Sequence, residues 1–288
     1  MNSKRRLKAN GPRVLIGSIF VCFTFFLGAC STVTVTKMND FRVLKNIIYK
    51  TVDGIEIKGD IYLPEVIGKK PAVLVVHGGS WASRAGDMTE MSRDLAGSGF
   101  VVFNIAYRLA PESLYPKAVE DIRDAIQFMR NHGSEFEIDP NEISAWGYSA
   151  GSQLVLMAGL DPKLKLKAIV AGGTPADFTA WPYSPIIRKF TGKTFQEAPE
   201  LWKEASPVNH VESNSPPVFL YHGHNDHLVE VEQMYRMRDA LTAKNVEVKT
   251  YEVPILGHIF VYLFSQKSLK LGVDFIKTHT HPAFFTVQ

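Results

Sequence analysis

Short apolar runs alternate with longer segments of helical period along most of the chain. Ile55 to Leu63 alternates apolar with polar positions, which predicts a strand with one exposed face. Ala72 to Val76 (AVLVV) and Val101 to Ala106 (VVFNIA) are unbroken apolar runs, as in strands buried on both faces. Met88 to Ser98, between them, reads as helix. Ala118 to Arg130 places apolar residues at helical spacing and closes near Gly133. Ile143 to Trp146, Ala168 to Ala171, Val218 to Tyr221 and Val246 to Val253 are further predicted strands. Val229 to Lys244 and Phe260 to Thr278 are the helices that follow the last two. Repeated strand–helix units predict an α/β fold with a mostly parallel central sheet and helices on both faces.

One stretch breaks this rhythm. Thr174 to Ser215 is rich in proline and aromatic residues, among them Trp181, Pro182, Tyr183, Phe190, Phe195 and Trp202. It is too long for a plain loop, and it is expected to be a cap inserted over the active site. No long linker or repeat divides the chain after residue 40. The expected organisation is residues 1–29 as a signal segment, 30–40 as a tether and 41–288 as one domain.

Charge is unevenly placed. The formal net charge is +3, which by itself points to a nucleic-acid or membrane partner. Lys4, Arg5, Arg6, Lys8 and Arg13 all precede residue 30, where there is no acid. Without them, 27 of the 32 basic residues face 29 acidic ones, a net charge of −2. The domain is therefore slightly acidic, and no nucleic-acid partner is expected. The basic start is followed by Val14 to Leu27, an uncharged apolar run of about 21 Å if helical. That is short for a bilayer core of roughly 30 Å but suits a signal segment. The run ends in Leu27-Gly28-Ala29-Cys30, which resembles the lipobox of bacterial lipoproteins and implies acylation of Cys30. A plain secretory signal with an incidental cysteine is the rival reading, and a single-pass anchor a third. Cys22 would leave with the signal, so no thiol remains for a disulfide. A membrane partner is thus expected through the lipid on Cys30. Ser31, where Asp marks inner-membrane retention in such lipoproteins, directs the expectation to the outer membrane or cell surface.

Candidate chemistry begins at Gly147-Tyr148-Ser149-Ala150-Gly151. A predicted strand precedes it and the helical run Gln153 to Leu160 follows, the context of a nucleophile elbow. Glycines stand on both sides of Ser149 because bulkier neighbours would collide in so sharp a turn. The helix beginning there directs its N–H groups and dipole at a developing oxyanion. A Gly-rich turn with a surface serine would give the same five letters. His77-Gly78-Gly79-Ser80-Trp81 follows the strand Ala72 to Val76. The N–H groups of Gly78, Gly79 and Ala150 are the expected oxyanion hole, and His77 is read as a brace for that loop.

These motifs, with Tyr107-Arg108-Leu109-Ala110-Pro111-Glu112, Tyr115-Pro116, Val119-Glu120-Asp121 and Asp139-Pro140, resemble α/β-hydrolases of the hormone-sensitive-lipase-like and feruloyl/acetyl-xylan-esterase-like (BD-FAE-type) branches. The resemblance covers roughly residues 45 to 279. It implies the α/β-hydrolase fold and a serine esterase that needs no cofactor. Two positions depart from it: Ser80 and Ser152 stand where relatives carry glycine.

The remaining catalytic groups follow Ser149 in the order acid, then histidine. Asp226 lies past the strand Val218 to Tyr221, in an H-G-x-x-D arrangement that matches the family's acid. His258 lies past the strand Val246 to Val253. Asp177 and Glu230 are other acids, the former less well placed. His222, His224, Asp226 and His227 could instead bind zinc, but no recognised ligand spacing accompanies them, so no metal is expected. The expected activity is hydrolysis of small or sugar-linked carboxylic esters through an acyl-enzyme. The alternatives are a serine peptidase of the same fold, whose usual extra domain finds no room here, and an inactive surface binding protein, against which the complete set Ser149, Asp226 and His258 argues.

Overall fold

The computed structural model describes residues 39–285. The expected signal segment, Cys30 and most of the expected tether lie outside the described residues. Eight strands form one sheet: β1 (Phe41–Val52), β2 (Ile55–Pro64), β3 (Lys70–Val76), β4 (Val101–Ile105), β5 (Ile138–Tyr148), β6 (Ile169–Gly172), β7 (Val218–Gly223) and β8 (Val248–Val253). Their spatial order is β1-β2-β4-β3-β5-β6-β7-β8. β2 pairs antiparallel with both β1 and β4, and every later pair is parallel.

The unbroken apolar runs have a direct cause. In β3, Ala72, Leu74 and Val76 enter one hydrophobic cluster, while Val73 and Val75 enter the other. On the first face lie α2 (Lys117–Asn131), α3 (Ala150–Gly159) and α6 (Glu232–Ala243); on the second lie α1 (Thr89–Gly97) and α8 (Gln266–His279). A strand covered on both sides has no polar face to show. The pattern therefore reads out the layers as well as the strands.

Two features differ from the sequence expectation. β1 was not expected. Its pairing with β2 slips between Leu44 and Ile47 and again between Ile48 and Lys50, and each slip breaks the two-residue period by which a strand is recognised. The expected helix Phe260 to Thr278 is two helices, α7 (His258–Phe264) and α8, parted at Ser265, whose Oγ accepts from the Ser268 N–H at 3.3 Å. Ile259, Phe260, Leu263 and Phe264 are each more than half exposed, so apolar character there does not mark a buried face. The stretch Thr174 to Ser215 contains α4 (Pro185–Thr191) and α5 (Pro199–Glu204). Phe178, Phe190 and Trp202 share one hydrophobic cluster with α2 and α3. These three side chains anchor the segment in the core.

The Tyr107–Arg108 and Val119–Asp121 motifs meet. Asp121, with a fully buried side chain, accepts from the Arg108 guanidinium and backbone N–H and from Lys50 Nζ at 2.7 Å. A buried carboxylate is tolerated only with such compensation. The chain enters at the other end of the same edge strand, β1: Asn39 donates its N–H to the Gly97 carbonyl at 2.9 Å, and Phe41 pairs with Pro64. Among the described residues, no helix is long and apolar enough to cross a membrane.

Candidate active site

Ser149 is the single residue between β5 and α3, with φ 54° and ψ −123°. An L residue held there stores on the order of 1–3 kcal/mol of strain. The glycines make the turn possible. A Cβ on Gly147 would lie 2.3 Å from the Gly151 carbonyl oxygen, and one on Gly151 would lie 2.2 Å from that of Val76. The Ser149 N–H donates to the Gly172 carbonyl at 2.8 Å, and Ser152 Oγ donates to the Ser149 carbonyl at 2.5 Å. The departure at Ser152 thus adds a tie to the turn. The Ala150 N–H opens α3 and has no acceptor within the helix.

The end of β3 delivers the second loop. Gly78 packs against the nucleophile turn: a Cβ there would lie 3.1 Å from Ser149 Cβ and 3.8 Å from Ser149 Oγ. Gly79 has φ 120°, and the N–H groups of Ala82 and Ser83 both donate to its carbonyl at 3.0 Å. Ser80 and Trp81 follow at φ 53° and 59°. Ser80 thus takes the left-handed conformation that glycine adopts without strain. Trp81 fixes the loop from beneath, donating through Nε1 to Gln153 Oε1 at 2.9 Å and stacking on Phe190 at 4.6 Å.

His77 is fully buried, stacked on Tyr107 at 4.4 Å, with Nδ1 2.6 Å from the Gly78 carbonyl oxygen, to which it donates. Burial pushes its pKa down from 6.5 to about 4, against the opposing pull of that hydrogen bond. Below pH 6.5 the unfolded chain takes up a proton that the folded ring refuses until about pH 4. Stability therefore falls as pH drops through that window, by up to about 3 kcal/mol. In His77→Gln, the fall in melting temperature from pH 7 to 4.5 should be visibly shallower than in the parent. Equal slopes in thermal melts would remove His77 as the cause.

Asp226 and His258 meet at 2.6 Å, Oδ2 to Nδ1. Asp226 Oδ1 accepts the N–H groups of Leu228 and Val229 at 3.0 and 2.9 Å, and His222 Nε2 stands 3.3 Å from Oδ2. Burial raises the Asp226 pKa, but the hydrogen bonds from His222, His258 and Val229 outweigh it and hold the carboxyl well below its ordinary value. It is ionised through the physiological range. The Gly172 carbonyl holds Ser149, and a Cβ on the next residue, Gly173, would lie 2.9 Å from His258 Cε1. Two adjacent residues at the end of β6 thus touch both the serine turn and the histidine ring. Tyr148 Oη donates to the His258 carbonyl at 2.5 Å and its ring packs on the imidazole at 5.2 Å.

Ser149, Ala150, Ser80 and Trp81 line a cavity of about 410 Å³ together with Trp181, Tyr183, Ile186 and Ile187 from the inserted stretch and Leu228 to Glu230 from the Asp226 loop. That volume suits a small ligand. The rival acids have other partners. Asp177 pairs with Arg236 at 2.9 Å, and Glu230 accepts from Trp181 Nε1 at 2.9 Å. The histidines of that cluster take separate partners. His222 is buried, its Nε2 donating to the Val229 carbonyl at 2.7 Å, while exposed His224 pairs with Glu252. Sequence reasoning missed Tyr148, Gly173 and His222 as parts of this site. The four-residue spacing from His222 to Asp226 was the one available signal; it was read as marking the acid and as a metal pattern, but not as a contact between the two.

A family model, BD-FAE, matches residues 59–241. The esterase LipC of Mycobacterium tuberculosis is 30% identical over 213 residues, 66% of this chain and 53% of that protein. The carboxylesterase NlhH of Mycobacterium tuberculosis is 28% identical over 234 residues, 73% of each chain. The chain spans about half the length of LipC and of the related LipM and LipQ. Among solved structures, a truncated carbohydrate esterase from gut microbiota superposes with a TM-score of 0.76 at 22% identity, covering 84% of this chain and 97% of that one. Propionate-bound esterase 2 of Thermogutta terrifontis gives 0.71 at 22% identity, covering 87% and 96%. At these identities the structures speak for the fold, which is that of the α/β-hydrolases.

Proposed function

The chain belongs to the BD-FAE family, and on that footing we propose that it hydrolyses carboxylic esters with Ser149 as nucleophile. The observation that carries this reading is the 2.6 Å bond from His258 Nδ1 to the buried Asp226 carboxylate, with the His258 ring against Gly173 and the strained Ser149 turn held by the neighbouring Gly172 carbonyl. With Nδ1–H given to Asp226, the lone pair of Nε2 is left to take a proton. Ser149 Oγ attacks the ester carbonyl and its proton passes to His258 Nε2. The oxyanion draws on the N–H of Ala150 and those of Gly78 and Gly79. Collapse of the tetrahedral intermediate transfers the proton to the leaving alcohol and leaves an acyl-Ser149. Water, activated by His258, then releases the acid. Asp226 keeps the imidazole in the required tautomer and stabilises its charged form.

The substrate class proposed is small or sugar-linked esters, in keeping with the cavity volume and with the likeness to a carbohydrate esterase. Hydrolysis of p-nitrophenyl acetate, with an acyl adduct located on the peptide containing Ser149 after rapid quenching, is the direct test. No turnover by the folded protein, or an adduct elsewhere, removes the assignment.

We also propose that the protein is exported and anchored through a lipid on Cys30. The support is the basic start, the apolar run Val14 to Leu27 and the lipobox-like Leu27 to Cys30. The expected result is that Cys30→Ala moves the protein from the detergent phase to the aqueous phase in a two-phase extraction. Unchanged partition would refute the anchor.

A further inference from the structure

The cavity beside Ser149 carries one full charge. Glu230 is the only Asp, Glu, Lys or Arg among its lining residues. It forms no ion pair among the described residues, since no Lys, Arg or His nitrogen stands within 4 Å of its carboxylate. Its one side-chain partner is the indole N–H of Trp181, which holds Oε2 at 2.9 Å and so fixes the carboxylate in the wall. The other oxygen, Oε1, has no protein partner among the described residues. Two aromatic rings, Trp181 and Tyr183, stand in the same wall. The Tyr183 side chain is largely exposed and bonded to nothing among the described residues, so its ring face is available to a ligand.

An anionic oxygen and two aromatic faces in one apolar cavity attract the same kind of group. The ring quadrupoles favour a cation, and so does the carboxylate. A neutral apolar group would gain only the ring contact and would bring Glu230 closer to an environment that cannot solvate it. A carboxylate on the substrate would be repelled. We propose that Glu230, with the Trp181 and Tyr183 rings, forms a subsite for a cationic group, an alkylammonium, carried by the ester. The inference rests on the esterase reading above, because it uses the wall shared with Ser149 to place the ester bond. It adds the chemical class of the group attached to that ester.

The test compares two esters of nearly equal shape and unequal charge: acetylcholine and 3,3-dimethylbutyl acetate. The ratio of their kcat/KM values is read within each protein, so any loss common to both cancels. The parent should prefer the cationic ester, and Glu230→Gln should lower that ratio about fivefold. Glutamine keeps the length and an acceptor for Trp181, so the wall is preserved. In the parent, raising salt from 20 mM to 500 mM should erode the preference in the same direction. A ratio near one in the parent, or one that Glu230→Gln leaves unchanged, overturns the subsite. So does an equal loss on glycerol monoacetate and acetylcholine, which would make Glu230 a hydroxyl acceptor instead. If p-nitrophenyl acetate is also untouched, it is the esterase reading that has failed.

Discussion

Ser149→Ala is expected to abolish ester hydrolysis, with kcat falling about a millionfold, the scale on which triad nucleophiles fail when removed. The substitution is well suited to isolate chemistry from folding. The backbone at 149 is strained whichever of the two side chains it carries, because both have a Cβ at φ 54°. The glycines at 147 and 151, the N–H bond to Gly172 and the Ser152 tie to the 149 carbonyl are all retained. Melting temperature should therefore stay within a few degrees of the parent, and KM should change little. Steady-state assays on p-nitrophenyl acetate decide the matter: more than about 1% residual kcat, after contamination has been controlled, would mean that another group is the nucleophile.

Asp226→Asn should lower kcat about ten-thousandfold. The geometry says why an isosteric change is so costly. Asp226 Oδ1 accepts two backbone N–H groups, from Leu228 and Val229, so the asparagine carbonyl must stay on that side. Its amide N–H groups then face His258 Nδ1, a donor against a donor. The imidazole escapes by moving its proton to Nε2, which removes the lone pair that must receive the Ser149 proton. His222 is not left bare, since its Nε2 already donates to the Val229 carbonyl. Binding should survive, so the loss belongs in kcat and not in KM. A variant within tenfold of the parent would show that Asp226 does not set the tautomer of His258.

Much of this site could be read from the chain because its members sit at strand ends, and strand ends are where apolar runs stop. Ala72 to Val76 ends one residue before His77, and the Val218 run ends just before His222. What could not be read came from elsewhere. Tyr148 and Gly173 matter because the fold brings them against His258 across more than eighty residues of sequence, and no local pattern reports that. The stretch 174–215 was recognised by its composition, but its burial was not. Prolines and aromatics serve equally in the wall of a cavity and in a packed core, and only the structure shows that Trp181 and Tyr183 do the first while Phe178, Phe190 and Trp202 do the second. β1 was lost for a third reason, its two register slips.

The entry of the chain has its own meaning. Asn39 is bonded to the carbonyl of Gly97, and Phe41 faces Pro64, near the residues where β3 and β4 begin. Ser149, Asp226 and His258 follow the residues where β5, β7 and β8 end. The five paired residues of β3 and β4 put on the order of 17 Å between these two levels. The described chain therefore enters at one end of the sheet and carries Ser149, Asp226 and His258 at the other.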